Sequence, residues 1–400
     1  MKRISRTALV AISLAASLCL AGAAMAQEEA YQNGMNYFKS GKYVEAAAEF
    51  QALVDDAPAY DYGYFMLGNS FVKMGKTDQA ISNFKQAIEL NGEKYVYHHS
   101  LASAYQKSRQ YRMVTETLNN SESIVEDRYK PAFYTTRGQA FYQLKKYSEA
   151  ISDLEKAKAL KPTEGVLTSL GVSYYKMGHH EKAAGALEKA LDKNPKNATN
   201  NQLLAESLLE VGKGKNGSAK ETAYGRALAA AERYLAAKPG NFDAINLVGR
   251  AALGAGDYGK AERSFTRALT LKPSYCFAMM NKAKAQIAQS KWKNAEGTLR
   301  TADKCDANNV LVHESLGFVL RKQKRLPEAL SSYQTAYKLK PSASIKKAMD
   351  EVKHNIEVNE FNKSATAEEI ANREAIAAEE ARVAAEKAKQ EEYKKKTDDD

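Results

Sequence analysis

The sequence predicts an all-α fold, a solenoid of stacked helix pairs, and three observations predict it. A glycine or alanine recurs at Gly34, Gly68, Ala102, Gly138, Gly171, Ala205, Gly249, Ala283 and Gly317, at intervals of 33–36 residues with one exception of 44. Three residues after the small one stands a large side chain, as in Tyr37, Phe71, Tyr105, Phe141, Tyr174 and Leu208. Proline, only eight in 400 residues, closes many units, at Pro58, Pro162, Pro195, Pro239, Pro273 and Pro341. A fixed period of this length marks a repeat architecture, and spacings of three, four and seven place side chains on one helical face.

Within a unit, a second small residue follows twelve places on, at Ala46, Ala80, Ala150, Ala183, Ala261, Ala295 and Ala329. Four places later come Phe50, Phe84, Leu154, Leu187, Phe265, Leu299 and Tyr333. Small residues let the partner helix approach closely, where a larger side chain would overpack at ~1–3 kcal/mol. Gly41, Gly75, Gly178, Gly212 and Gly256 fall between paired helices, where a chain reversal needs positive φ. Proline then ends the second helix. One hairpin cannot bury its own apolar face, so the units must stack.

This pattern resembles the tetratricopeptide repeat (TPR) over roughly residues 27–341, about nine units. The resemblance implies a right-handed superhelical solenoid that is not an enzyme. It also implies that the first helices of successive units line a concave groove where partner peptides lie. On that placement the partner-binding groove is formed by Tyr62, Phe65, Asn69, His99, Ser103, Gln139, Tyr142 and Tyr175, joined by Gln106, Thr135 and Thr168. Asn246, Arg250, Lys284 and Arg321 form a basic far half suited to carboxylates. Rings supply rigid contact area and amides satisfy a peptide backbone. A lysine and asparagine clamp for a terminal carboxylate is not clearly present.

Three units depart from the pattern. The third has Val114 and Leu118 in place of Ala and Phe, then Asn119-Asn120-Ser121, which predicts a loosely packed second helix. The sixth carries about ten extra residues within Lys213 to Tyr224, with Gly214, Gly217 and three lysines, which predict a flexible loop between the paired helices. The eighth has Lys282, Gln286 and Ala307 where the family has Leu, Tyr and Pro. It also holds Cys276 and Cys305, at the start of its first helix and near the end of its second, which antiparallel packing sets side by side. In an oxidising compartment this pair suggests a disulfide.

The ends of the chain carry other signals. Residues 1–26 read as a signal peptide: Lys2, Arg3 and Arg6, an apolar run from Ala8 to Ala21, and the small-x-small pattern Ala24-Met25-Ala26 before Gln27. Cleavage after Ala26 and a periplasmic location follow, with secretion as the alternative; no other segment is apolar enough to span a membrane. Beyond the solenoid (27–341), residues 342–362 read as a capping helix with Ile345, Met349, Val352 and Ile356 on one stripe. Residues 363–400 read as a charged Ala/Glu/Lys-rich helix with a thin seam of Ile370, Ile376, Val383 and Tyr393 and a disordered acidic end at Asp398, Asp399 and Asp400. A lone solvated helix is favoured there over a coiled coil.

Charge and motif content narrow the function classes. Of the net +11, residues 1–26 carry +3 and 341–400, with 11 basic and 15 acidic residues, carry −4, which leaves +12 on the body. Gly254, Gly256 and Gly259 spell GxGxxG but fall in a helix–helix turn without a preceding strand. Gly212 to Gly217 has phosphate-loop spacing, yet Ser218-Ala219 follows it. His98, His99, His179, His180, His313 and His354 have no Cys or carboxylate partner at ligand spacing. No catalytic residue, metal or cofactor is expected, and no nucleic acid. The expected function is a protein-interaction scaffold of the cell envelope that binds protein or peptide partners. The alternatives are a binder of anionic envelope polymers or glycans, and an accessory subunit of a peptidoglycan or exopolysaccharide enzyme complex.

Overall fold

A computed structural model describes residues 27–364 and 366–398. Residues 1–26, where a signal peptide is expected, and Asp399 and Asp400 lie outside the described residues. The chain divides into two compact units, one up to Ala237 and one from Lys238.

The first unit is a run of antiparallel helix pairs. These are α1 (27–39) with α2 (Tyr43–Asp56), α3 (Asp61–Lys73) with α4 (Thr77–Leu90), and α5 (Tyr95–Lys107) with α6 (Tyr111–Asn120). There follow α7 (Lys130–Gln143) with α8 (Tyr147–Leu160), α9 (Glu164–Lys176) with α10 (His180–Lys193), and α11 (Ala198–Lys213) with α12 (Gly217–Ala237). The second unit pairs α13 (Phe242–Gly254) with α14 (Tyr258–Leu271), α15 (Cys276–Ala288) with α16 (Trp292–Cys305), and α17 (Val310–Lys322) with α18 (Leu326–Leu339). It ends on α19 (Ala343–Ser364) and α20 (Ala367–Asp398). From α2 to α12 in the first unit and from α13 to α19 in the second, each helix packs on the next in sequence. No strand occurs among the described residues.

The small residue of each pair has a direct structural cause. A Cβ built on Gly34, Gly68, Gly171 or Gly249 would lie 2.7, 2.7, 2.7 or 2.8 Å from the side chain of Phe50, Phe84, Leu187 or Phe265, sixteen residues later. Gly138 meets Leu154 and Gly317 meets Tyr333 in the same way, both at 2.9 Å. The large side chain on the second helix fills the space a side chain on the first would need, and all six of these large residues are buried. The two helix backbones therefore approach through one knob per unit.

Chain reversal uses one device in every pair but the sixth. The residue seven places after the small one has positive φ at Gly41, Gly75, Gly178 and Gly256, between 75° and 80°. Arg109, Lys145, Ser290 and Lys324 hold the same position at φ of 55° to 62°. In each case the next N–H donates back to a carbonyl five residues earlier, for instance Lys76 to Phe71 and Arg325 to Leu320, which is a Schellman closure. The geometry is thus set by the hairpin, and glycine only makes it easier.

Gly212 does not share this role, contrary to the sequence reading. It lies inside α11, and its missing side chain makes room for the Tyr224 ring, which a Cβ at this position would meet at 2.8 Å. The expected flexible loop is likewise corrected. α11 continues to Lys213, and α12 begins at Gly217, so most of the insertion extends a 21-residue helix and Gly217 takes the positive φ. Ala, Lys, Glu and Thr after Gly217 are ordinary helix residues, and Tyr224 under Gly212 anchors the extension.

The third pair corrects the expectation of loose packing. α6 has ten residues, yet Val114, Thr115, Thr117 and Leu118 are buried. Two 3-10 turns follow, Glu122–Ile124 and Asp127–Tyr129. Arg137 of α7, buried, ties this irregular segment down. Its Nε and Nη2 donate to Asp153 of α8 at 2.7 and 3.0 Å, and its Nη1 donates to Glu122 at 2.7 Å and to Asn119 at 3.0 Å. The Phe133 ring lies 4.5 Å from the guanidinium carbon.

In the second unit, Cys276 and Cys305 form a disulfide with Cα atoms 5.7 Å apart. Gln286, buried where the family has Tyr, donates to Glu262 at 2.9 Å and accepts from the Thr298 hydroxyl at 2.8 Å. A polar bridge thus replaces a ring. α19 packs on α18 through Ile345 and Val352, both buried. Along α20 nearly every described side chain is exposed.

Candidate functional site

In the first unit, α3, α5, α7, α9 and α11 approach one another directly, each first helix to the next. The second helices show no comparable mutual approach among the described residues. The first-helix face is therefore the inner side of this stack, and it is where a partner segment would meet several repeats at once.

Polar side chains on this face are joined from helix to helix. The Gln106 amide of α5 donates to Gln139 Oε1 of α7, and the Gln139 amide donates to Ser169 Oγ of α9, both at 3.3 Å. Asn200 of α11 donates to Thr168 Oγ1 of α9 at 2.9 Å. Asn200 is fully buried and its Oδ1 has no partner in the structure. Ser103 is exposed, with its hydroxyl donating to the His99 carbonyl of its own helix. Thr135 does the same with Pro131. His99 is half-buried, 3.5 Å from the Tyr95 hydroxyl, and burial pushes its imidazole below the usual range. Asn69 is half-buried, its amide set against the Met66 sulfur.

Aromatic residues flank this polar centre. Tyr62, near the start of α3, is half-buried against Tyr31 at 6.0 Å and Phe65 at 5.6 Å. Tyr142 and Tyr175, half-buried near the ends of α7 and α9, lie against Tyr147 and His180 at 5.8 and 5.5 Å. These positions are ten residues apart in the repeat register, which is ~15 Å along a helix. Burial, then the neighbouring Tyr147, raises the Tyr142 hydroxyl above its ordinary range, so it stays a neutral donor.

Phe65 leaves the expected set. It is 8% exposed and packed on Phe84 and Tyr97, at 5.9 and 4.8 Å. Position 65 faces the next repeat, and a ring there completes the core. Sequence reasoning in turn missed Tyr31, Ser169 and Asn200. Tyr31 stands three residues before Gly34 and so had a register signal; the other two are defined only by a partner one repeat away.

In the second unit the basic residues divide. Arg321 donates to Glu351 of α19 at 2.7 Å, so its charge is already met. Lys284 is exposed and Arg250 half-buried. Asn246 is buried with its Oδ1 unpartnered. Two core histidines are satisfied by backbone, His98 by Gly92 and His313 by Ala307, both at 2.8 Å. No group of three or more metal-ligating side chains occurs among the described residues. No described helix is long and apolar enough to cross a membrane.

Helix pairs closed by left-handed turns, each knobbed small-to-large between residues sixteen apart and stacked in series, define a class of helical-repeat interaction proteins. Models of the tetratricopeptide repeat match residues 62–94, 131–164, 165–197 and 222–275. The chain is a tetratricopeptide-repeat protein. Its fold is similar to the C-terminal part of a TPR protein from Cytophaga hutchinsonii, at 20% identity over 63% of this chain and 98% of that one, with a TM-score of 0.47. It is also similar to the pilF protein of Pseudomonas aeruginosa, at 21% identity, 58% and 97% coverage and a TM-score of 0.41. The MamA protein aligns at 19% identity, 44% and 94% coverage and a TM-score of 0.40. No curated protein matches the sequence.

Proposed function

We propose that the chain is a non-catalytic scaffold of the bacterial cell envelope whose first unit holds an extended segment of a partner protein across α3 to α11. Tetratricopeptide repeats are protein-interaction scaffolds, and the family assignment supports this reading. The observation that carries it is the inner face itself: a helix-to-helix row of amides and hydroxyls, Gln106, Gln139, Ser169 and Thr168, between tyrosines at both edges. An extended segment presents one N–H and one C=O per residue, and each needs a partner once buried. Amides and hydroxyls supply both donors and acceptors, while half-buried rings give contact area at small entropic cost.

The envelope location rests on Lys2, Arg3, Arg6, the apolar run to Ala21 and Ala24-Met25-Ala26. The intact mass of exported protein checks it: a chain starting at Gln27 is expected, and one starting at Met1 refutes cleavage and the location together.

The binding face is tested by replacing Tyr62, Tyr142 and Tyr175 together with Ala and comparing proteins captured from envelope extract with those captured by the wild type. Loss of specific partners with helicity retained is expected. Capture that is unchanged overturns the placement. Capture by the wild type that collapses uniformly with salt favours instead a charge-driven polymer binder.

A further inference from the structure

The second helices of the fourth and fifth pairs stand apart on the face opposite the proposed groove. Between α8 and α10 two adjoining cavities, about 420 and 290 Å³, share Lys158, Leu167 and Lys189. The floor is α9, through Leu167 and Tyr174, both buried. Lys158, Lys182, Lys189 and Lys193 form the walls.

These cations are unequally compensated. Lys158 pairs with Glu155, which also accepts from the Tyr174 hydroxyl at 2.8 Å. Asp192 lines the same cleft. Among the described residues, no carboxylate lies within ion-pair distance of Lys182, Lys189 or Lys193. Lys182 lies over the Tyr174 ring, at 5.7 Å, and its charge helps hold the Glu155 carboxyl below the usual range without an ion pair between them. Intervals of seven and four residues keep the three lysines on one face of α10, and the row from Lys182 to Lys193 runs roughly 16 Å. Unpaired cations walling a concave cleft focus field into it. Gly185 and Ala186 keep the same wall low: a Cβ on Gly185 would meet nothing within 4 Å.

We infer that this cleft is a second interaction surface that takes an acidic, aliphatic-containing peptide segment. Beside the lysines, Glu155 and Asp192, its lining includes Leu167, Leu170 and Ala186, with Pro162 at one end. It offers no free aromatic platform for a sugar, since Tyr174 is buried and its hydroxyl is engaged. It has no arginine fork for bidentate phosphate contact. Carboxylates spaced along an extended strand of about five residues would span the lysine row, at ~3.3 Å per residue, and aliphatic side chains between them would lie over Pro162 and Ala186.

Fluorescence anisotropy on the full mature chain tests this, with a labelled peptide of Glu and Leu as probe. Micromolar binding that weakens with salt is expected. The triple variant Lys182→Gln, Lys189→Gln, Lys193→Gln should weaken it at least tenfold, and Gly185→Leu, which fills the cleft without changing charge, should do the same. Leucine raises helix propensity at that site, so loss of binding there is not loss of fold. The Tyr62, Tyr142, Tyr175 variant should bind the peptide as the wild type does, which separates this surface from the proposed groove. No binding to the wild type, or binding untouched by both cleft variants, overturns the inference. Polyphosphate binding that both variants abolish, with no peptide binding, overturns the choice of ligand.

Discussion

At position 171 a hydrogen atom decides how closely two helices approach. A side chain there would begin 2.7 Å from Leu187, so Gly171→Val should cost roughly 1–3 kcal/mol through overpacking, read as a lower urea midpoint with an unchanged slope. Seven residues further along the register the demand is on φ rather than volume. Lys324 sits at φ 62°, a conformation that costs an L-residue roughly 1–2 kcal/mol. Lys324→Gly should therefore raise stability, by less than about 1 kcal/mol because glycine also loses more freedom on folding. A fall in the midpoint would show that the lysine side chain contributes more than its backbone strain costs.

The elements differ in what holds them. The short α6 and the 3-10 turns after it are held by Arg137. Asp153 is almost fully buried, so Arg137→Met leaves an unpaired charge and should cost about 3–5 kcal/mol. The exposed partner, Glu122, tests the same network by pH. Its hydrogen bond from Arg137 holds its carboxyl below the usual range. A depressed carboxylate contributes stability that is present above the unfolded pKa and is lost as pH falls through the folded one. Urea midpoints taken from about pH 6 down to about pH 3 should fall less steeply in Glu122→Gln than in the wild type. Equal slopes would mean that Glu122 is not coupled to folding. In the second unit the disulfide closes 29 residues of sequence around α15 and α16, worth roughly 3–4 kcal/mol on the chain-entropy model. Reduction should lower the melting temperature, and Cys276→Ser should reproduce that loss and make the protein indifferent to reductant.

Over the whole molecule, the ends of the chain are unequal in structural weight. α19 contributes buried Ile345 and Val352, whereas the described side chains of α20 are nearly all exposed, Ile376 by 56% and Val383 by 41%. Deleting residues 365–400 should leave thermal stability unchanged, and deletion from 342 should lower it by several degrees, both measured by loss of far-ultraviolet ellipticity. A drop on the first deletion would reveal a contact that α20 makes with another copy.

What the sequence determined by itself is the repeat: its period, the small-to-large pairing, the proline stops and the placement of Cys276 beside Cys305. These follow from local spacing, because each unit is built from residues close in the chain. Tertiary structure alone decided which inner-face residues stay open. Phe65 and Tyr62 are three residues apart on one helix, and it is the packing of Phe84 and the next repeat's Tyr97 on Phe65 that removes it from the surface. It also turned the insertion after Lys213 into helix, because Tyr224 found its seat under Gly212. It placed Arg321 opposite Glu351, and among the described residues it put no carboxylate within ion-pair distance of Lys182, Lys189 or Lys193. Helical period is written in one segment of chain; burial and charge compensation depend on neighbours contributed by another segment, and no spacing rule within a repeat encodes them.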